Sequence, residues 1–499
     1  MSIFYSSDSS ASPRVGGPTW ALLLSLLAGI LLGGCQSESS TTSPNVVVIL
    51  ADDLGYGDPG AYNASSKIPT PHIDQLASEG RLFTDAHSPS SVCTPTRYAL
   101  LTGRYSWRTR LKQGVLLGYG ASLIDTNRTT IASLLNEEGY RTGGVGKWHL
   151  GLQNEKPTDY SRPLRPGPVT SGFDYYWGIP SSLDFGPYLY FENDQTVTLP
   201  TDSTQGSSEC CLGPFWRAGR MAPDFEHDQV LPNITEHAVE FVEQSAGGED
   251  PFFLYLPYSA PHTPWLPTGE YEGSSKAGMY GDFVAQVDAS VGSVLDALDR
   301  ADVAENTLVI FTSDNGAIWP PRQVEKFDHR ANYRWRGMKA DIWEGGHRVP
   351  FIVRWPGEVP PGTTSEATIS QVDLLRTIAS AVGAGMPEGA GPDSYDLLPA
   401  FTGANYESPI RGPVVQHSSN GMFALRSGPW KLIEGRGSGG FTEPVSVEIE
   451  EGEPEGQLYN LAEDPDESNN LYQKRPELVD SLQSVLDRIR DQGYSRPQD

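Results

Sequence analysis

Cysteine is scarce in this sequence: Cys35, Cys93, Cys210 and Cys211 are the only four in 499 residues. So few thiols exclude a disulfide framework, and the fold must rest on the large apolar core that a chain of this length can build. Cys210-Cys211 stays open to two readings, a vicinal disulfide or two unpaired loop thiols. Positive charge is short as well. Against 63 Asp and Glu stand only 36 Lys and Arg, a formal net charge of −27. That balance excludes nucleic acid as a partner, because phosphate backbones are bound by basic surface. An anionic ligand must instead be drawn in by a local cationic cleft. Long apolar runs are lacking too: Trp20 to Leu32 falls short of the roughly 20 residues a membrane-spanning helix needs. No internal repeat is visible.

What is plentiful is Gly (53) and Pro (40), which marks a loop-rich globular chain with room for more than one domain. The run Trp20 to Leu32 has the length of a signal-peptide core and ends in Leu32-Gly33-Gly34-Cys35, which resembles a lipoprotein cleavage site. Residues 1–35 are therefore expected to be a signal peptide, with Cys35 becoming the lipid-bearing first residue. Residues 36–44 are expected to be a Ser/Thr-rich tether. The protein is expected to be exported from a bacterial cytoplasm, as a periplasmic or outer-membrane lipoprotein anchored through that lipid; simple secretion is the alternative.

Asn45 to Leu50 is a continuous β-branched apolar run, the pattern of a strand buried on both faces, and it leads straight into Asp52-Asp53. Phe252 to Leu256 repeats the plan and leads to Pro261-His262. Thr307 to Thr312 repeats it again and leads to Asp314-Asn315-Gly316. A brief strand reaches Gly146-Lys147-Trp148-His149, where alternation would place Lys147 and His149 on one side. Helical periodicity predicts helices over 71–79, 129–138, 233–244, 282–298 and 372–382. Strands with helices between them predict an α/β domain over residues 45–403. Residues 404–499 change character, with short strands at 422–426 and 431–433 and a closing helix over 476–491. The stretch 153–250 lacks periodicity and reads as long loops, with a short strand at 188–192. There Asp184, Trp216, Arg217 and Arg220 are either sugar contacts or ordinary loop surface.

Ser91 to Arg104 carries the densest local signal. Pro95 suits the first turn of a helix that Gly103 can end, which places Cys93 just before a helix N-terminus, a spot that favours an anion. Arg97, one turn along, can lie over the same spot. Taken alone the stretch also reads as a small buried Cys beside a helix cap. In a parallel sheet the strand ends share one edge, so one cleft can collect Asp52, Asp53, Lys147, His149, His262, Asp314 and Asn315. Three carboxylates and an amide oxygen form a hard donor set suited to Ca²⁺ or Mg²⁺, and Arg97, Lys147 and Lys339 supply an anion pocket beside it.

The ordered series Asp52-Asp53, Cys93-x-Pro95-x-Arg97 with Leu101-Thr102-Gly103-Arg104, Gly146-Lys147-Trp148-His149, Pro261-His262, Asp314-Asn315-Gly316 and Arg336-Gly337-x-Lys339 resembles the type I sulfatases. These are arylsulfatase-like enzymes of the alkaline phosphatase superfamily. Gln457 to Leu461 with Asp464-Pro465 is similar to that family's C-terminal subdomain. The resemblance implies a large mixed, mostly parallel sheet sandwiched by helices, with a smaller C-terminal antiparallel-sheet subdomain. It implies that Cys93 is oxidised to formylglycine (3-oxoalanine) by a formylglycine-generating or anaerobic sulfatase-maturating enzyme, and that the formylglycine hydrate attacks sulfur. Asp52, Asp53, Cys93, Asp314 and Asn315 would bind one divalent cation, usually Ca²⁺ with Mg²⁺ as the alternative. Arg97 and Lys147 would hold the hydrate, with Asp314 as base. Lys147, His262 and Lys339 would contact the sulfate, His262 would protonate the leaving alcohol, alone or together with Lys339, and His149 would help release sulfate. The segments 98–116 and 335–350 resemble bacterial enzymes acting on 6-O-sulfated galactose or N-acetylgalactosamine, so a sulfated carbohydrate is the expected substrate. A phosphonate or phosphate monoester hydrolase of the same superfamily, or a non-catalytic glycan-binding lipoprotein, are the rival readings.

Overall fold

The computed structural model describes residues 43–207, 212–406 and 408–497. The signal-peptide and lipidation readings at residues 1–35, most of the tether, and the Cys210-Cys211 pair lie outside the described residues. Among the described residues no helix is long and apolar enough to cross a membrane.

A ten-stranded sheet forms the centre of the molecule. In chain order its strands are β1 (Asn45–Asp52), β2 (Arg81–Phe83), β3 (Arg141–Lys147), β4 (Tyr175–Ile179), β5 (Phe191–Glu192), β6 (Gln195–Thr196), β7 (Phe252–Pro261), β8 (Thr307–Ser313), β9 (Phe351–Arg354) and β10 (Thr363–Ser365). They lie in the order β10-β2-β9-β8-β1-β7-β3-β4-β5-β6. The middle five, β8 to β4, are parallel, and antiparallel strands flank them. Every residue of β1, β7 and β8 is buried, as their unbroken apolar runs require of strands covered by helices on both faces.

Register decides where the chemistry goes. Asp52 pairs with Pro261 and Ala51 with Ser313, so Asp53, His262 and Asp314 all leave the sheet at one edge. Lys147 ends β3 on the same side, two strands from β1.

The helices follow the apolar spacing, with differences at their ends. The first, α1, spans Pro71–Glu79 as its pattern predicts, with Pro71 in the first turn. A later helix runs Val230–Ala246 rather than 233–244, because Pro232 falls in its first turn, where its missing N–H costs nothing. The next runs Gly278–Arg300 rather than 282–298. Its extra turn contains Gly278 and Gly281, poor helix formers, but buried Tyr280 anchors it by donating from Oη to Asp58. Of the strand expected at 188–192 only Phe191–Glu192 forms, and Tyr188 makes an isolated bridge to Met221.

A small antiparallel sheet follows: β11 (Val414–His417), β12 (Phe423–Ser427), β13 (Trp430–Ile433) and β14 (Gln457–Asn460). The closing helix Pro476–Asp491 lays Val479, Leu482, Leu486 and Ile489 against it. Those residues share one apolar cluster with Ala99, Tyr105 and Trp107, from the segment that carries Cys93. The small sheet thus backs the site rather than hanging free of it.

Candidate active site

The helix Cys93–Thr102 is buried along its whole length. Val92 is its N-cap, so Cys93 is the first helical residue rather than the one before it, and Pro95 occupies the third position, still within the first turn. Gly103 ends the helix at φ +60 with its N–H on the Ala99 carbonyl, and a Cβ there would stand 2.8 Å from Gly391 Cα. Cys93 Sγ lies 3.5 Å from Asp52 Oδ1 and 3.5 Å from Lys339 Nζ.

Arg97 does not lie over Cys93 as a free cation. Its Nε and Nη2 donate to Asp314 Oδ2 at 3.0 and 2.8 Å, and its Nη1 donates to the Lys147 carbonyl at 2.9 Å. Lys147 Nζ donates to Asp52 Oδ2 at 2.6 Å and to Ser182 Oγ at 2.9 Å. Lys339 Nζ donates to Asp53, 2.6 Å from Oδ1 and 2.8 Å from Oδ2. Three carboxylates and three cations therefore interleave, all six of them buried.

This packing sets the protonation states. Burial would raise the Asp52 pKa, but Lys147, His262, Arg97 and Lys339 together hold it well below the usual carboxylate range. Asp314 goes the other way: burial, then the neighbouring Asp52 charge, push it up to about 6 against the pull of Arg97 and Lys147. A helix N-terminus with cations nearby suggests a lowered thiol pKa at Cys93. The structure reverses that expectation. Burial and the Asp314 charge outweigh Lys147 and Lys339 and push the Cys93 thiol up, so it stays protonated.

His149 does not reach the site by strand alternation. β3 stops at Lys147, Trp148 is buried, and His149 turns back at φ +56. Gly146 makes the turn feasible: it sits at φ +136, and a Cβ there would meet the Pro257 carbonyl at 2.0 Å. The His149 ring points Nε2 at the Leu116 carbonyl, 2.7 Å away, and a carbonyl can only accept. Nε2 therefore carries the proton, and Nδ1 is a buried lone pair without a partner. Burial, then Lys147 and Arg97, hold the imidazole well below its usual pKa, so it is neutral.

His262 is oriented the opposite way. Its Nδ1 donates to the Thr263 carbonyl at 2.5 Å, and Nε2 faces Ser182 Oγ at 3.1 Å with Asp53 Oδ2 at 3.7 Å. Ser182 thus links Lys147 to His262, and it is absent from the residues the sequence singled out. A signal existed: Ser182 lies just past the carboxyl end of β4, a parallel strand that the loop-like reading of 153–250 concealed.

The residues fit a divalent cation. Asp52, Asp53, Cys93 and His262 bring ligand atoms within 4.8 Å of one another. Asp314 Oδ1 accepts from the Asp53 N–H at 3.2 Å beside them. Asn315 donates from Nδ2 to Asp53 Oδ1 at 2.7 Å, which leaves Asn315 Oδ1 buried with no partner among the described residues. An orphaned amide oxygen among carboxylates is what a hard cation satisfies. The convergent set includes His262, which is not among the expected ligands, whereas Oδ2 of the expected ligand Asp314 is taken by Arg97.

Above Cys93 a cavity of about 420 Å³ opens, with His149, Ser182, His262 and Lys339 in its lining. Of the loop residues offered as sugar contacts, Asp184 and Arg217 line it. Trp216 stacks on His227 and donates to Thr204, and Arg220 bonds the Thr201 carbonyl, so neither is part of that lining.

A family model described as Sulfatase matches residues 44–384. The chain is 34% identical to an N-acetylgalactosamine-6-O-sulfatase of Bacteroides thetaiotaomicron, over 94% of this chain and 98% of that one. It is 34% identical to arylsulfatase A of Homo sapiens, over 94% and 90%. A solved structure from work on the metabolism of multiple glycosaminoglycans by Bacteroides thetaiotaomicron superposes with a TM-score of 0.81 at 33% identity, over 90% of this chain and 99% of that one. Ps i-CgsB in complex with k-i-k-neocarrahexaose superposes with a TM-score of 0.71 at 27% identity, over 91% and 94%.

Proposed function

The chain belongs to the sulfatase family, and from that premise we propose that it hydrolyses a sulfate ester on a carbohydrate, 6-O-sulfated galactose or N-acetylgalactosamine, releasing inorganic sulfate. The observation that carries this reading is the position of Cys93. Its side chain lines the cavity between an Asp52 carboxylate and the Lys339 ammonium, with His149 and His262 in the same lining. A protonated, buried thiol is a poor nucleophile, which favours Cys93 as a precursor of formylglycine made by a maturating enzyme that also supplies the oxidant.

In this reading one hydroxyl of the hydrated aldehyde at position 93 attacks sulfur. Lys147, Lys339 and His262 take the negative charge of the sulfate oxygens, which supplies the local cationic cleft that a chain of net charge −27 needs. Arg97 holds Asp314 against the site, and Asp314 receives the proton of the attacking hydroxyl. His262 keeps its Nδ1–H on the Thr263 carbonyl, so this step needs the ring as imidazolium, and the second proton, on Nε2, goes to the departing alcohol oxygen. His149 Nδ1 takes the proton of the second hydroxyl, which expels sulfate and restores the aldehyde. A divalent cation held by Asp52, Asp53, Asp314 and Asn315 together with the modified Cys93, calcium or magnesium, would lower the negative charge on the attacking and sulfate oxygens.

Export and lipid anchoring at Cys35 belong to the same reading. They rest on the leader sequence alone, and they would place the enzyme where sulfated polymers or their fragments are met.

Sulfate release from a panel of sulfated mono- and oligosaccharides by the matured protein tests the activity, with the matching phosphate esters alongside. Sulfate release from the 6-sulfated galactose or N-acetylgalactosamine series is expected. Faster turnover of the phosphate esters overturns it in favour of the phosphatase reading.

A further inference from the structure

Asp184, which the sequence leaves as either a sugar contact or loop surface, takes no part in the sulfate chemistry above, yet it is only 4% exposed and lines the cavity two residues beyond Ser182. Its backbone carbonyl accepts from the Arg217 N–H at 3.1 Å and from Tyr188 Oη at 3.2 Å, and its Oδ2 accepts from Arg217 Nη1. Among the described residues its Oδ1 is buried with no partner. A carboxylate oxygen removed from water with no donor is costly, and such a group is retained where a ligand supplies the donor.

Arg217 completes the wall. Its guanidinium lies 4.7 Å over the Phe185 ring and 5.0 Å over the Phe215 ring, and all three residues line the cavity. A fixed acceptor beside a fixed donor, the donor held by the Phe185 and Phe215 rings, suits a ligand that carries neighbouring hydroxyls and ring oxygens, as a sugar does.

We infer that Asp184 and Arg217 form a sugar-recognition wall in which Asp184 Oδ1 accepts from one ring hydroxyl and the Arg217 guanidinium donates to an adjacent ring oxygen. The inference rests on the sulfatase reading of Cys93 and extends it from the sulfate to the ring that bears it. Clamped through its backbone carbonyl and Oδ2, Asp184 is pre-positioned, so the contact adds selectivity with little ordering cost. An aryl sulfate, which lacks ring hydroxyls, can use the sulfate end of the cavity but gains nothing from this wall.

The test compares matured wild type, Asp184→Ala and Arg217→Ala on N-acetylgalactosamine 6-sulfate, galactose 6-sulfate and 4-nitrophenyl sulfate, with thermal unfolding as the check on folding. For each variant the ratio of kcat/KM on sugar sulfate to kcat/KM on the aryl ester is expected to fall roughly 10- to 100-fold, the range for losing a hydrogen bond to a charged group. An unchanged ratio in folded variants overturns the inference. Wild type that cleaves the aryl ester but neither sugar sulfate removes the sugar wall while the sulfatase reading stands. Wild type inert on all three takes down that reading and this inference together.

Discussion

His149 Nε2 and the Leu116 carbonyl stand 2.7 Å apart, and that contact fixes which end of the imidazole is free to take a proton. Because the carbonyl holds the N–H, Nδ1 is an open lone pair. Burial with Lys147 and Arg97 nearby keeps the ring neutral. The sign matters: a base with a lowered pKa is active above that pKa and is lost only when pH falls through it. The acid limb of the kcat profile caused by His149 is therefore expected well below pH 6.5. His149→Ala should release about one alcohol per enzyme and then stall, with steady turnover down roughly 10²-fold or more, because proton removal at the second stage is lost. A linear time course with no burst would show that His149 acts elsewhere.

How much of this was legible beforehand depended on what kind of signal each residue carried. The strand ends were readable because continuous apolar runs lead into Asp52-Asp53, towards His262 and into Asp314-Asn315, and parallel pairing brings such ends to one edge. Ser182 was not readable, since β4 is a short aromatic strand inside a stretch without periodicity. The Asp184–Arg217 pair spans 33 residues of that same stretch, and no spacing rule announces it. The Cys93 thiol came out with the opposite shift because burial and the Asp314 charge outweigh Lys147 and Lys339, while Arg97, counted as its neighbour, is committed to Asp314.

The orphaned Asn315 Oδ1 leads to a prediction about metal. Calcium added to stripped protein should raise Tm by several degrees, since a ligand at 100 times its Kd stabilises by about 2.7 kcal/mol. Asn315→Ala and Asp53→Ala should lose most of that rise, along with turnover. Equal Tm with calcium and with excess chelator, in protein that turns over normally, would remove the metal from the account.

Gly146 predicts a stability defect that needs no assay of activity. A methyl group there meets the Pro257 carbonyl at 2.0 Å and forces an L-residue to φ +136. Gly146→Ala should cost about 3 kcal/mol or more through strain and overpacking together. Unchanged thermal unfolding would mean that β3 and β7 can separate at this point at little cost.

The leader makes a prediction that stands apart from the site. Cleavage before Cys35 and acylation of its thiol should appear in the intact mass of the native protein. An unacylated N-terminus elsewhere would reject the lipid anchor while leaving export open.

The last prediction concerns what Cys93 becomes. Its thiol is buried, protonated and 3.5 Å from both an Asp52 oxygen and the Lys339 nitrogen, a poor setting for a thiolate but a suitable one for an uncharged aldehyde and its hydrate. Oxidation replaces Sγ with a carbonyl oxygen that Lys339 can polarise, and hydration then places two hydroxyls near His149 and the carboxylates. Peptide mapping of active protein from a host with the maturating enzyme should therefore show a residue that condenses with a hydrazine and resists iodoacetamide. Cys93→Ser should fold and bind calcium yet lose at least roughly 10³-fold in turnover, because a hydroxyl that captures the sulfate has no second hydroxyl to expel it. Protein with Cys93 wholly alkylatable and sulfatase activity undiminished would sink the aldehyde mechanism.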